Sequence, residues 1–373
     1  DAVNFGNCYA KYISLIANAS IPVCVLESLR DIQLFALMKG EKDIRPLGFN
    51  DVDRKVVSTL FFEMYRSSHG KLFGVLQSAF YKSGCERMIH KFRFFQKEFD
   101  TSCVFGADAI NAFNLVVVDQ MLVQVKKHCP MMFPFVKSMY GNGRKGYFFV
   151  PEEAKVKFLD VDTGVTQGDV LAMFLHALTI QPLLMKLDET IKADELSNGI
   201  VGGFADDIFA GCEWDTFVKV IKILVEEGPK IGYFLSKTKG KILLGKQSSI
   251  EEAVDCVDYL VTRFGLSKDI IAIHPDNVQD NDKQQTIANY GMKILGNYIG
   301  TATFINLKLV KHFKSFEETA ENLCAYKDNH IKFILLKRSF SAKFNHLMRT
   351  SLPSDILPFA KAFDKLKKVI IES

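Results

Sequence analysis

The chain has 373 residues, 48% of them hydrophobic, which is enough to bury large cores in two or three subdomains. With 47 Lys and Arg against 43 Asp and Glu, the net charge is only +4, so any affinity for nucleic acid must come from a local groove and not from bulk charge. The 8 cysteines form no Cys-x-x-Cys pair and have no His at finger spacing, which indicates neither a zinc module nor a disulfide framework but reduced thiols in an intracellular protein.

Phe is unusually frequent at 32 residues, beside 11 Tyr and 1 Trp, so most of the aromatic surface is expected in cores and not in base-stacking platforms. Helical patterns run over residues 53–66 and 86–99. Ser102-Cys103-Val104-Phe105-Gly106-Ala107 reads as a short apolar strand that Asp108 ends, before Asn111-Ala112-Phe113-Asn114 opens a helix. Residues 147–150 and 154–159 read as a hairpin.

Gly164-Val165-Thr166-Gln167-Gly168-Asp169 is a glycine-bearing loop that runs into a long apolar helix. Gly168 permits close approach of a nucleotide to the backbone, and Gln167 can hydrogen-bond a base or sugar; the alternative is a plain helix start with Asp169 in its first turn. The apolar run 170–185 is broken by His176, Thr179 and Gln181 and is too short and polar to span a bilayer; no signal peptide opens the chain, and no membrane partner is expected. His176 in that helix reads as a satisfied core side chain, not a ligand.

Ile200, Val201 and Phe204, then Ile208, Phe209 and Ala210, read as two short strands reversed by Ala205-Asp206-Asp207. Adjacent carboxylates on the tip of an apolar hairpin either make a solvated loop or hold a divalent metal. With Asp108 they would form a cluster of three acids that repels itself unless cations neutralise it. Hard oxygen ligands with few protein contacts suit Mg²⁺, which keeps several waters and takes phosphate oxygens from a substrate. Two such ions roughly 3.5–4 Å apart can clamp the attacking and leaving oxygens of a phosphoryl transfer. Residues 306–373 carry three helical patterns separated by Lys327-Asp328-Asn329 and Leu352-Pro353-Ser354.

Taken in order, these segments resemble the reverse transcriptase domain of non-LTR retrotransposons, from about residue 42 to about residue 301. Lys42-Asp43-Ile44-Arg45-Pro46-Leu47-Gly48 is similar to the family's first fingers block, with Arg54 in the helix that follows. Phe73-Gly74-Val75 with Gly84-Cys85-Glu86 is similar to the template-facing block. Asp108-Ala109-Ile110-Asn111-Ala112-Phe113-Asn114, Gln167-Gly168-Asp169 and Phe204-Ala205-Asp206-Asp207 resemble the first three palm motifs. Gly232-Tyr233-Phe234-Leu235-Ser236 with Lys239 resembles the fourth, and Ile294-Leu295-Gly296-Asn297-Tyr298-Ile299-Gly300 the primer-grip hairpin. Each block is weak alone; seven in order are specific. Val170 replaces a usual proline, Tyr233 and Ser236 replace Leu and Asn, and Phe204 stands where Tyr is common.

The resemblance implies an α+β right-hand polymerase with fingers, a split β-α-β antiparallel-sheet palm and a helical thumb. Fingers would take residues 1–100, with 126–185 partly fingers and partly palm helix, the palm 101–125 and 186–303, and a helical thumb or connection 304–373. Asp108, Asp206 and Asp207 would be the catalytic, metal-binding acids of a two-metal nucleotidyl transfer, with two Mg²⁺ expected and Mn²⁺ as a substitute. Lys42, Arg45 and Lys239 would meet the triphosphate, and Ala109, Phe113, Gln167 and Gly168 would complete the nucleotide site. A ring at Phe113 would clash with a 2′-hydroxyl and select deoxynucleotides, unless it is an ordinary core residue. Leu295 and Gly296 would grip the primer.

The implied partners are template RNA, a DNA primer or target DNA, and deoxynucleoside triphosphates, and the implied location is nuclear for a eukaryotic element. Basic residues of the last helices, such as Lys311, Lys337 and Lys365, would either follow the phosphates of a duplex or simply be solvated. The chain starts at Asp1 without Met and has no endonuclease segment, so an excised domain or fragment is expected. Alternatives are a group II intron-type reverse transcriptase, an RNA-dependent RNA polymerase, and a catalytically inactive, domesticated RNA-binding copy.

Overall fold

The computed structural model of the chain describes residues 2–39, 43–141, 143–194 and 198–373. Helices α1 (Ala2–Ala17) and α2 (Val23–Arg30) precede the hairpin β1 (Ile32–Lys39) and β2 (Asp43–Phe49). Then come α3 (Val52–Arg66), the short α4 (His69–Phe73) and α5 (Gly84–Glu98). The α3 start is written locally: Asp51 accepts the Asp53 amide at 2.8 Å, satisfying one of the four unpaired donors of the first turn.

The central strand is β3 (Cys103–Ala109). After it come α6 (Ala112–Leu115), a single turn that starts where the sequence places a helix, then α7 (Val118–His128) and α8 (Phe133–Tyr140). The hairpin β4 (Lys145–Val150) and β5 (Lys155–Asp160) joins the first one, β4 lying parallel to β1, to give a four-stranded sheet ordered β2-β1-β4-β5. The long α9 (Ala172–Lys192) is buried along most of its length.

A second hairpin, β6 (Ile200–Phe204) and β7 (Asp207–Cys212), leads into α10 (Trp214–Ile231), β8 (Leu235–Leu243), α11 (Ile250–Phe264) and the short β9 (Ile271–Ala272). Strand β3 pairs antiparallel with β7 on one side and β8 on the other, in a five-stranded sheet ordered β6-β7-β3-β8-β9. The apolar run of β3 lacks alternation because both faces are covered. Cys103, Phe105 and Ala107 face a core shared with α9, α10 and α11, while Val104 faces a second core built on α5.

Helix α12 (Asp280–Asn289) precedes the hairpin β10 (Gly291–Ile294) and β11 (Asn297–Gly300). The chain ends in α13 (Ala302–Cys324), α14 (Asn329–Leu335), α15 (Ser341–Lys343), α16 (Asn345–Thr350) and α17 (Pro353–Glu372). The middle of the three expected helical patterns is thus broken, with a π turn at Leu336–Phe340. Phe313, Phe316, Phe344 and Phe363 pack a separate core there, as the Phe content leads one to expect. All 8 cysteines are free thiols, and among the described residues no helix is long and apolar enough to cross a membrane.

Candidate active site

Asp108 interrupts the β3 ladder. Ala107 pairs with Ile208 on β7, so Asp108 and Asp207 are the next residues on the two strands, and the register to β8 shifts between Ala107 and Ala109. Phe204 pairs with Asp207, which leaves Ala205-Asp206 as a two-residue turn. Asp207 therefore belongs to the strand and not to the reversal, a correction to the expected hairpin. Asp206 is half-buried at its tip.

Asp108 and Asp207 line a cavity of about 1090 Å³ together with Leu295 and Gly296, the turn between β10 and β11. Burial, then the charges of Asp206 and Asp108, push the Asp207 carboxyl up to about 7. The three carboxylates thus lie within electrostatic range of one another, two of them on the cavity. Among the described residues no group of three or more His, Cys, Asp or Glu is arranged so as to hold a metal ion. A hard divalent cation that takes one or two carboxylates plus substrate phosphates needs no such group, and the oxygen donors of these acids fit that chemistry. Lys241, Lys293, Lys308 and Lys311 line the same cavity and set positive charge opposite its acids.

The Leu295-Gly296 turn has φ of 44° and 86°, the left-handed pair that a tight hairpin requires. The Leu295 carbonyl accepts from Cys85 Sγ at 3.5 Å and from His346 Nε2 at 2.9 Å, which fixes the proton on that nitrogen. Asn297, fully buried, donates to Thr350 Oγ1 at 2.7 Å and to Ser351 Oγ at 3.0 Å. The last helices are therefore fastened to this hairpin. No sequence signal pointed to His346, which lies in a separate helical pattern.

The Gln167-Gly168 loop sits against β2: the Gly48 amide donates to the Gln167 carbonyl at 2.7 Å. Gly168 has φ of 114°, and a Cβ there would meet the Gly48 carbonyl at 2.4 Å. Asp169 is not a solvated first-turn acid. It is buried, accepts from Arg54 at 2.8 Å and Tyr140 at 2.7 Å on one oxygen, and takes the Leu171 amide at 2.9 Å on the other. Burial works to lower the Arg54 pKa, but Asp169 and Tyr140 outweigh it and raise it. Arg144 holds the other side of the loop, donating to the carbonyls of Thr163 and Gly164, each at 2.9 Å.

Phe113 is half-buried, stacked on His176 with ring centroids 4.9 Å apart. His176 is in the core, but it is not satisfied as expected: Nδ1 has no partner among the described residues, and burial drops its pKa to about 4. Ala109 is half-buried against the core beneath the acids. Lys239 is exposed on β8, next to Gly240, which lines the cavity. Arg45 is exposed on β2, three positions before Gly48, and does not line the cavity of the acids. Lys42 lies outside the described residues.

Among solved structures, the chain is similar to apo telomerase from Candida tropicalis, with a TM-score of 0.46 at 11% identity over 59% of this chain and 45% of that one. It is also similar to the same telomerase truncated from its C-terminal domain, with a TM-score of 0.44 at 12% identity over 59% of this chain and 51% of that one. The chain thus spans about half the length of those chains. No curated protein matches it. The profile of the family described as reverse transcriptase (RNA-dependent DNA polymerase) matches residues 37–294, more than half of the chain and all three acids. The chain, an α+β protein of the right-hand polymerase class, belongs to the reverse transcriptase (RNA-dependent DNA polymerase) family.

Proposed function

We propose that this chain is the RNA-directed DNA polymerase of a non-LTR retrotransposon, extending a primer 3′-hydroxyl on an RNA template. The family is one of nucleotidyltransferases that use divalent metal ions and act on a template and primer. One observation carries the finer reading: Asp108 and Asp207 face the Leu295-Gly296 turn across a single lysine-lined cavity. Residues 1–100, with part of 126–185, serve as fingers, 101–125 and 186–303 as palm, and 304–373 as thumb.

In this reading Asp108, Asp206 and Asp207 would hold two Mg²⁺ ions, whose charge would offset that of the carboxylates and of the transferring phosphoryl group. The chain's own work is position and charge. The Leu295-Gly296 turn seats the primer end, and Lys293, Lys308 and Lys311 neutralise backbone phosphates beside it. Gln167 and Gly168 present a nucleotide-facing edge whose height is set by β2. Phe113 excludes a 2′-hydroxyl, with Ala109 beside it, while Arg45, Lys239 and Lys42 serve the triphosphate. The site of action is intracellular, and nuclear in a eukaryotic source.

The test is loss of function without loss of binding. Asp108→Asn and Asp206→Asn are expected to abolish extension of a DNA primer on an RNA template while gel-shift affinity for the template-primer stays within about threefold, since the lysines are untouched. Wild-type protein that binds template-primer without extending it would point instead to an inactive RNA-binding copy.

A further inference from the structure

Ala205, which stands immediately before Asp206, has φ of 55°. A side chain in that left-handed region is strained and persists only where its surroundings over-determine it. Those surroundings are one residue. Gln77 is 0% exposed, its Oε1 accepts the Ala205 amide at 2.9 Å, and its Nε2 donates to the Ala205 carbonyl at 3.1 Å. Both backbone groups of the strained residue are thereby taken by a single side-chain amide across 128 positions of sequence.

The segment around Gln77 is itself docked on the hairpin. The Gly203 amide donates to the Leu76 carbonyl at 2.6 Å, and Gln77 bridges to Gly203. Gln77 Oε1 also takes the Ala79 amide at 3.4 Å, which orients the side-chain amide. A Cβ on Gly203 would meet Gln77 Nε2 at 3.1 Å, so the glycine leaves room for this approach. In an otherwise apolar stretch, a buried Gln with both ends engaged is there for what it holds.

We propose that Gln77 is a positioning residue for the acid turn: by fixing Ala205 at both backbone groups it aims the Asp206 and Asp207 carboxylates at a shared divalent cation. The inference rests on the polymerase reading only for the reaction served; the clamp and the cation affinity are properties of the chain alone. Gln77→Leu removes both bonds at similar size, and Gln77→Glu keeps the acceptor but sets a carboxylate oxygen against the Ala205 carbonyl. Ala205→Gly relieves the left-handed strain and so reduces the need for the clamp.

The experiment measures Mn²⁺ affinity by paramagnetic resonance, beside the single-turnover extension rate, for each variant and for the Gln77→Leu/Ala205→Gly pair. Gln77→Leu and Gln77→Glu are expected to weaken Mn²⁺ binding and slow extension about tenfold or more, and Ala205→Gly to restore the Leu variant to within about threefold of wild type. A role in packing alone would not be rescued by a glycine in the opposite segment. Folded variants with wild-type Mn²⁺ affinity, or a loss that Ala205→Gly leaves unrelieved, overturn the proposal; if Gln77→Leu fails to fold, Gln77→Glu decides. A wild type that shows the Mn²⁺ pattern but extends no primer removes the polymerase reading and leaves the Gln77 role standing, while one that binds no Mn²⁺ overturns both.

Discussion

Arg54 and Asp169 meet at 2.8 Å with side chains 0% and 2% exposed, joining α3 to the loop that carries Gln167 and Gly168. The same guanidinium donates to the carbonyls of Leu29 at 3.4 Å and Arg30 at 3.1 Å, so it also ties in the chain entering β1. Such a fork reaches three places that an ammonium cannot serve together. Removing one partner of a buried pair strands the other charge: Arg54→Met is expected to cost about 3–5 kcal/mol of stability. Arg54→Lys should recover only part of it. Urea unfolding with circular dichroism measures both.

Gly168→Ala puts a Cβ against the Gly48 carbonyl and forces an unfavourable left-handed backbone. The loop must lift from β2. The nucleotide KM should rise about tenfold or more while template-primer affinity is unchanged, as a nucleotide titration of single-residue extension would show.

Asp207→Asn should stabilise the metal-free protein while destroying activity. The folded-state carboxyl titrates near 7, above an unfolded value of about 3.9, so its charge penalises the folded state fully above pH 7. As the pH falls from 7 toward 4 the folded state takes up its proton first and the penalty fades. The gain from Asn, on the order of 2 kcal/mol, should therefore be largest at pH 8 and vanish near pH 4, with thermal melts across that range as the readout.

Phe113→Val opens the space that the proposal assigns to 2′-hydroxyl exclusion. Ribonucleotide incorporation relative to deoxynucleotide incorporation should rise about tenfold or more. Because the ring also stacks on His176, a loss of about 1–2 kcal/mol in stability should accompany it. Unchanged discrimination with the same stability loss would make Phe113 a packing residue only.

Local pattern carried much of this structure. Apolar runs ended by turn residues located β3, the β6–β7 hairpin and the β4–β5 hairpin, and strand-end acids located the cavity. One misplaced detail is of register: periodicity of two cannot say whether Asp207 ends a turn or begins a strand. Contacts across long sequence separations left no periodic trace, as with Arg54 and Asp169 at 115 positions or Leu295 and His346 at 51. Gln77 belongs with them: its contact to Ala205 spans 128 positions, and the sequence reading did not single it out.

The most direct measurement is extension of a DNA primer annealed to RNA in Mg²⁺, with deoxy- and ribonucleoside triphosphates supplied separately and Asp206→Asn alongside. The account predicts template-directed deoxynucleotide addition that disappears in Asp206→Asn. Preferential ribonucleotide addition, or addition that survives in Asp206→Asn, would contradict it.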